Sequence, residues 1–189
     1  MNIRAKRFNT TATLVLTTCV SALLATPAFA ADKDASAMAD HAKKGSITVT
    51  QSKVIDAAPD EVWSTVRDFD ALSLWHPAVE SSDIAKGENN KPGAQRHLTL
   101  SDGGTVDEQL ISWDDAGMSY SYKILGGVLP VSNYVSTIAV EAEGDERSRL
   151  IWKGQFDPAE GQTADKAKTV ITSVYDAGLN NVDTMMSGD

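Results

Sequence analysis

The chain has 189 residues and a formal net charge of −9, from 26 acidic and 17 basic side chains. This acidic balance disfavours binding to nucleic acid or to an anionic membrane surface. The length is enough for one domain with one hydrophobic core after an N-terminal targeting segment.

Residues 1–30 have the pattern of a secretory signal peptide. Three basic residues stand before position 8, and a mostly apolar stretch runs from Ala12 to Ala25. The small residues of Ala28-Phe29-Ala30 then occupy the two positions that a signal peptidase reads. The apolar stretch is too short to span a membrane. We therefore expect cleavage after Ala30, a periplasmic location and no membrane span.

A lipoprotein processing site is the competing interpretation. Leu16-Thr17-Thr18-Cys19 resembles one loosely, although Thr18 is larger than the residue usual before the cysteine. Cleavage after Ala30 removes Cys19, so the mature protein would have no disulfide and no cysteine ligand for a metal. Residues 31–45 are small, charged and aperiodic, which predicts a disordered lead-in to a domain over residues 46–189.

The first part of that domain predicts one strand followed by two short helices. Residues Ser46 to Ile55 alternate β-branched and polar side chains, which is typical of a strand. Pro59 suits the first turn of a helix, whose apolar face carries Val62, Trp63 and Val66. A second helix, from about Ala71 to Trp75, ends before a proline.

A run of strands and one long helix follow. The predicted strands are Val79–Ala85, Gln95–Leu100, Thr105–Trp113, Met118–Ile124, Val131–Glu143 and Arg149–Phe156. From about Thr163 to Met186 the apolar residues repeat with helical spacing on one face. The pattern predicts an α+β fold in which a curved antiparallel sheet wraps around the C-terminal helix. The gap between sheet and helix is the natural ligand site.

Six local segments carry a resemblance to a known superfamily. They are Ala57–Trp63, Leu74–Val79, Gly93–Arg96, Asp102–Leu110, Leu129–Val131 and Val174–Leu179. These motifs resemble the helix-grip superfamily that includes START domains, Bet v 1 allergens and polyketide cyclase/dehydrase-like proteins (the SRPBCC superfamily). With the signal peptide, the chain also resembles periplasmic MxaD-type accessory proteins of methanol oxidation. The superfamily resemblance implies an apolar-ligand pocket but does not by itself imply catalysis, because the fold hosts transporters, sensors and enzymes.

Arg96 and Glu108 are the candidate catalytic residues. Each lies on the apolar face of its predicted strand, where a charged side chain needs a partner. A two-residue turn at Asp102-Gly103 would put them on opposite faces. A three-residue turn Asp102-Gly103-Gly104, with Gly104 left-handed, would put them on one face, and we favour it. The pair is then either a structural brace or a polar pocket end, where Arg96 holds a carbonyl or carboxylate and Glu108 acts as acid or base.

The predicted ligand-binding residues are mostly aromatic. They are Trp75, His76, Leu98, Leu110, Tyr120, Tyr122, Tyr134, Trp152, Tyr175 and Leu179. The tyrosines either offer hydroxyls to a ligand or form core. For His76 we favour a capping or surface role, with a general base as the alternative. Three scattered histidines give no metal-ligand spacing, and no phosphate loop is present, so we expect neither a metal nor a cofactor.

We therefore favour a non-enzymatic periplasmic protein that holds a small apolar or amphipathic molecule, or assists a methanol-type oxidation system. A cyclase or dehydratase that uses Arg96 and Glu108 on a carbonyl substrate is the alternative. A third hypothesis is an interaction module whose acidic surface docks a periplasmic dehydrogenase or cytochrome.

Overall fold

A computed structural model describes residues 45–188. The predicted signal peptide and the predicted lead-in, up to its last residue, lie outside this range, so both stay predictions. None of the helices within the described range is long and apolar enough to cross a membrane.

The helices and strands follow in the predicted order. The first four segments are β1 (Ile47–Ile55), α1 (Pro59–Val66), a 3-10 turn (Phe69–Ala71) and α2 (Leu72–Trp75). The others are β2 (Val79–Lys86), β3 (Gln95–Leu100), β4 (Thr105–Asp114), β5 (Ser119–Gly127), β6 (Val131–Ala142), β7 (Ser148–Pro158) and α3 (Ala164–Ser187). The largest difference from prediction is at β5, which continues past Ile124 because Gly126 and Gly127 pair with β4.

The seven strands form one antiparallel sheet in the order β1-β7-β6-β5-β4-β3-β2. The first two strands therefore form the two edges, and the helical segments between them carry the chain from one edge to the other. Helix α3 contacts β1 and β7 and buries Ile171, Tyr175 and Leu179. The predicted α+β helix-grip fold is confirmed.

Local sequence explains where the helices begin and end. Pro59 opens α1, with Asp60 and Glu61 in its first turn, where carboxylates interact favourably with the helix dipole. The Thr163 side chain caps α3 by accepting a hydrogen bond from the Lys166 amide. Gly188 ends α3 with a φ of 70°, which glycine adopts without strain.

The turn between β3 and β4 decides how Arg96 and Glu108 meet. The turn has three residues, as favoured, but it is Ser101-Asp102-Gly103, because the Leu100 amide donates to the Gly104 carbonyl. The left-handed glycine is accordingly Gly103, with a φ of 84°, and not Gly104. Moving the turn by one position places Arg96 directly opposite Glu108 in the ladder, where side chains lie closest.

Candidate functional site

A mostly apolar cavity lies among the sheet, the segment from α2 to the start of β2 (the α2 region, residues 72–79) and α3. Its volume is about 70 Å³. Its apolar lining consists of Leu72, Ala78, Val79, Leu98, Leu100, Val106, Leu129, Ile171 and Val174. Its other lining residues are His76, Glu108, Tyr122, Tyr134 and Trp152. A concave apolar site with a few polar groups is the usual form of a small-molecule site.

The structure divides the predicted site residues into two groups. Those that line the cavity are His76, Leu98, Glu108, Tyr122, Tyr134 and Trp152. Those that are buried without lining it are Trp75, Arg96, Leu110, Tyr120, Tyr175 and Leu179. The second group can influence a ligand in this cavity only through the first, because its members do not border the open space.

Arg96 and Glu108 form a buried ion pair. Nε and Nη2 of Arg96 lie 2.7 Å and 2.6 Å from the same oxygen, Oε2 of Glu108. Nη1 of Arg96 donates to the Phe69 carbonyl, and the guanidinium lies 4.1 Å from the centre of the Phe69 ring. The Arg96 side chain is 0% exposed. Arg96 therefore braces Glu108 and the 3-10 turn, and this geometry favours the structural interpretation of the arginine.

Glu108 is the ionisable carboxyl group of the cavity. Burial raises its pKa, against the opposing effect of the Arg96 charge and hydrogen bond. A carboxyl group with a raised pKa that borders a cavity can serve as an acid or a base. Within residues 45–188, no group of three or more His, Cys, Asp or Glu side chains is arranged to hold a metal ion.

His76 is buried, which corrects the expectation of a surface role. Its Nδ1 atom accepts a hydrogen bond of 3.2 Å from the Ala78 amide. Because Nδ1 is an acceptor, Nε2 carries the proton and donates to the Val174 carbonyl of α3 at 2.9 Å. Both ring nitrogens therefore form hydrogen bonds, so His76 links the end of α2 to α3. It could act as a base only after Nδ1 loses its hydrogen bond from Ala78.

The contribution of His76 to the stability of the protein should become unfavourable as the pH drops below about 6.5. Burial lowers the pKa of His76 from its ordinary value of 6.5, so at mildly acidic pH the unfolded chain binds a proton that the folded chain excludes. Denaturant unfolding at a series of pH values from about 7.5 to 5 measures the slope. A His76→Gln variant should lose the His76 part of that slope. Equal slopes in His76→Gln and the parent would contradict the prediction.

A directed chain of hydrogen bonds runs behind the cavity. Ser136 Oγ has one proton, which it donates to the Lys153 carbonyl at 3.0 Å. The Tyr175 hydroxyl, 3.0 Å from Ser136 Oγ, must therefore be the donor in that contact. The same argument makes Tyr134 the donor to Tyr175 at 2.6 Å. The hydroxyl protons of Ser136, Tyr175 and Tyr134 are therefore all donated to acceptors within the protein.

The indole of Trp152 connects that chain to the cavity wall. Its Nε1–H lies 3.1 Å from both Ser136 Oγ and the Tyr122 hydroxyl oxygen. The Trp152 ring also stacks on Tyr175, with the ring centres 4.6 Å apart. Burial raises the pKa of Tyr122 well above its ordinary value, so its hydroxyl stays protonated.

The sequence alone missed part of this site. Ser136 was not predicted, although it alternates with Tyr134 and Ile138 on the buried face of β6, and a serine on an apolar face is the signal that could have identified it. Ile171 and Val174 of α3 line the cavity, but helical periodicity assigns such residues to the core without distinguishing a wall from solid packing.

Gly178 allows α3 to approach the cavity wall closely. A Cβ atom at this position would lie 2.8 Å from His76 Cδ2 and 2.8 Å from Trp152 Cζ3. Gly178→Ala should therefore destabilise the protein by about 1–2 kcal/mol, because the overpacking exceeds the roughly 1 kcal/mol that alanine contributes in a helix. Ser173→Ala, at an exposed position of α3, is the control. A Gly178→Ala variant more stable than the parent in urea unfolding would contradict this packing argument.

Known proteins resemble the chain in both sequence and structure. The chain is 29% identical over 102 residues to the abscisic acid receptor PYL1 of Arabidopsis thaliana, a match that covers 52% of the chain and 46% of that receptor. XoxI of Bacillus cereus is 31% identical, with a TM-score of 0.68 over 74% of this chain and 94% of XoxI. A START superfamily protein of Mycobacterium smegmatis shares the fold, with 14% identity and a TM-score of 0.63 over 75% and 97% of the two chains.

The family model covers nearly all of the described domain. Residues 46–186 match the model of the family described as polyketide cyclase / dehydrase and lipid transport. This range begins just before β1 and ends within α3, so it includes the whole sheet and every residue that lines the cavity. The chain is a member of the polyketide cyclase / dehydrase and lipid transport family.

Proposed function

We propose that the protein binds a small, largely apolar molecule in the cavity between its sheet and α3. The observation that carries this proposal is the lining, in which apolar side chains surround a few polar groups. The family to which the chain belongs is described by lipid transport as well as by cyclase and dehydrase activity. Arg96, His76 and the Tyr175 hydrogen-bond chain then act as supports that keep the lining in place.

Ligand binding can be tested with a cavity-filling variant. Native mass spectrometry after mild extraction, followed by a thermal-shift screen of apolar compounds, should detect bound molecules in the parent protein. Val106→Phe should abolish binding, because Val106 lines the cavity and the larger ring fills it. Ile111→Phe, at a position of the same strand that is 42% exposed, should leave binding unchanged. An empty parent protein that no compound stabilises would refute the proposal.

The cellular setting is part of the same proposal. The predicted signal peptide supports export to the periplasm, and the resemblance to MxaD-type proteins supports assistance to a methanol-type oxidation system. The acidic charge of the chain suits a basic dehydrogenase or cytochrome as partner. Co-purification with such a partner should weaken as salt is raised. Salt-insensitive association, or none, would remove this part of the proposal.

A cyclase or dehydratase is the second candidate. The favouring observation is that Glu108, whose pKa burial raises, borders the cavity. The arginine is fully enclosed and would contribute by holding Glu108 in place. A screen of hydroxylated and unsaturated carbonyl compounds would look for turnover, and Glu108→Gln should abolish any that is found. Turnover that survives Glu108→Gln would exclude this mechanism.

A further inference from the structure

Tyr122 presents a free hydrogen-bond donor at the cavity wall. Its hydroxyl oxygen accepts from Trp152 Nε1 at 3.1 Å, but its own proton has no acceptor among residues 45–188. The other polar groups of the lining are different, because Tyr134, Trp152 and His76 donate to protein acceptors. A hydroxyl left unpaired in a dry cavity costs free energy, so this proton favours a ligand that can accept it.

Glu108 presents a free acceptor at the same wall. Both contacts with Arg96 go to Oε2. No described residue donates a hydrogen bond to Oε1. It is not among the polar atoms that are both unpartnered and fully enclosed, so part of its surface is exposed. Since Glu108 lines the cavity, this second oxygen remains accessible to a ligand.

Glu108 and Tyr122 lie on neighbouring strands of the sheet. In the β4–β5 ladder, Leu110 is opposite Tyr122 and Glu108 is opposite Ile124. Glu108 and Tyr122 are therefore diagonal neighbours on the same face of the sheet, a separation that long side chains can span. A hydroxyl group can accept from Tyr122 and donate to Glu108 at once.

The charges of the cavity disfavour an anionic ligand. No lysine or arginine lines it, and the Arg96 side chain is 0% exposed and already paired. A carboxylate would thus enter a low-dielectric space beside the Glu108 carboxyl group without a cation to balance it. The volume of about 70 Å³ is also well below the roughly 300–1,000 Å³ of pockets that hold drug-sized ligands, so the ligand must be small.

We propose that the ligand is a small neutral alcohol, with its hydroxyl group between Tyr122 and Glu108 and its carbon chain against the apolar lining. This inference rests on the proposed ligand-binding function and specifies the chemical class of the ligand. The alcohol satisfies the free donor and the free acceptor together, whereas a hydrocarbon or an ether satisfies at most one of them.

Three probes of similar size test this inference. 1-Butanol has a donor and an acceptor, its isomer methyl propyl ether has only an acceptor, and butanoate is anionic. The indole N–H resonance of Trp152 is the readout, because that group lies 3.1 Å from the Tyr122 hydroxyl. At neutral pH, 1-butanol should bind at least about threefold more tightly than the ether, and butanoate should not bind.

Variants identify the group responsible. Tyr122→Phe keeps the ring and should weaken 1-butanol binding by about three- to tenfold. Ser148→Ala removes a buried hydroxyl that has no hydrogen-bond partner within residues 45–188 and does not line the cavity. This variant should bind 1-butanol as the parent does. The ranking of the three probes on the parent protein tests the inference even if a variant fails to fold.

The outcomes separate the two proposals. If the ether or butanoate binds as tightly as 1-butanol, or if folded Tyr122→Phe retains full affinity, the alcohol inference is overturned and cavity binding stands. The same holds if 1-butanol fails to bind while apolar compounds of the thermal-shift screen do. If nothing binds in either experiment, the proposed function fails and the inference fails with it.

Discussion

Replacing Glu108 alone with leucine should lower the free energy of unfolding by about 3–5 kcal/mol, the usual cost of leaving one member of a buried ion pair without its partner. Arg96 is 1% exposed, and its charge would then be balanced only by the Phe69 carbonyl and nearby aromatic rings. Urea unfolding followed by tryptophan fluorescence measures the loss.

The double variant Arg96→Met/Glu108→Leu should recover most of that loss and come within about 1 kcal/mol of the parent, because no buried charge remains. Glu143 and Arg149 provide the comparison, since they form an ion pair with side chains 32% and 37% exposed. Glu143→Leu should cost at most about 1 kcal/mol. A double variant as unstable as Glu108→Leu would contradict the argument and would indicate that side-chain shape at this site outweighs charge.

Gly154→Ala should destabilise the protein by about 2–4 kcal/mol, although it adds a single methyl group. A Cβ atom at Gly154 would lie 2.1 Å from the Tyr175 hydroxyl oxygen and 3.2 Å from Tyr175 Cζ. The tyrosine would have to move, which combines overpacking with the loss of its hydrogen bonds to Ser136 and Tyr134. Thermal and urea unfolding both report this loss.

Removing the hydroxyl that the methyl group would strike should rescue part of the stability. In Gly154→Ala/Tyr175→Phe, the added Cβ meets the ring carbon instead of the oxygen, so we expect the double variant to be more stable than Gly154→Ala alone. Tyr175→Phe in the parent background is the remaining single variant that this double-mutant cycle requires. Additive losses in the double variant would show that the clash is not with Tyr175.

The pairing of Arg96 with Glu108 shows how far local sequence carries a prediction. Alternation placed both on apolar faces, and an odd turn length put the faces on the same side, as the structure confirms. The position of the turn was predicted one residue late, because Gly103 and Gly104 both suit a left-handed conformation. Only the pairing of β3 with β4 along their whole length decides which glycine is left-handed. The turn sequence alone therefore could not show that Arg96 lies directly opposite Glu108.

The hydrogen-bond chain behind the cavity was less predictable. Ser136, Trp152 and Tyr175 come from β6, β7 and α3, and periodicity says which face each residue occupies but not which atoms meet across elements. The directions of these hydrogen bonds follow from one fact, the donation of Ser136 to the Lys153 carbonyl. That contact depends on the register of β6 with β7, which a single sequence does not specify.

The order of the strands has a consequence for how the chain folds. Within the described sheet, the first strand pairs only with the last. Gln155 Nε2 accordingly donates a hydrogen bond to Thr48 Oγ1, 107 positions away. Pairing of strands so far apart in sequence requires a long loop to close, and the entropy of that closure is lost before the contacts stabilise the sheet. Folds rich in such long-range contacts typically fold in milliseconds to seconds. Strand β1 remains without its ladder until β7 has been synthesised. The domain should therefore acquire its fold late and cooperatively, with the N-terminal edge among the last parts of the sheet to form.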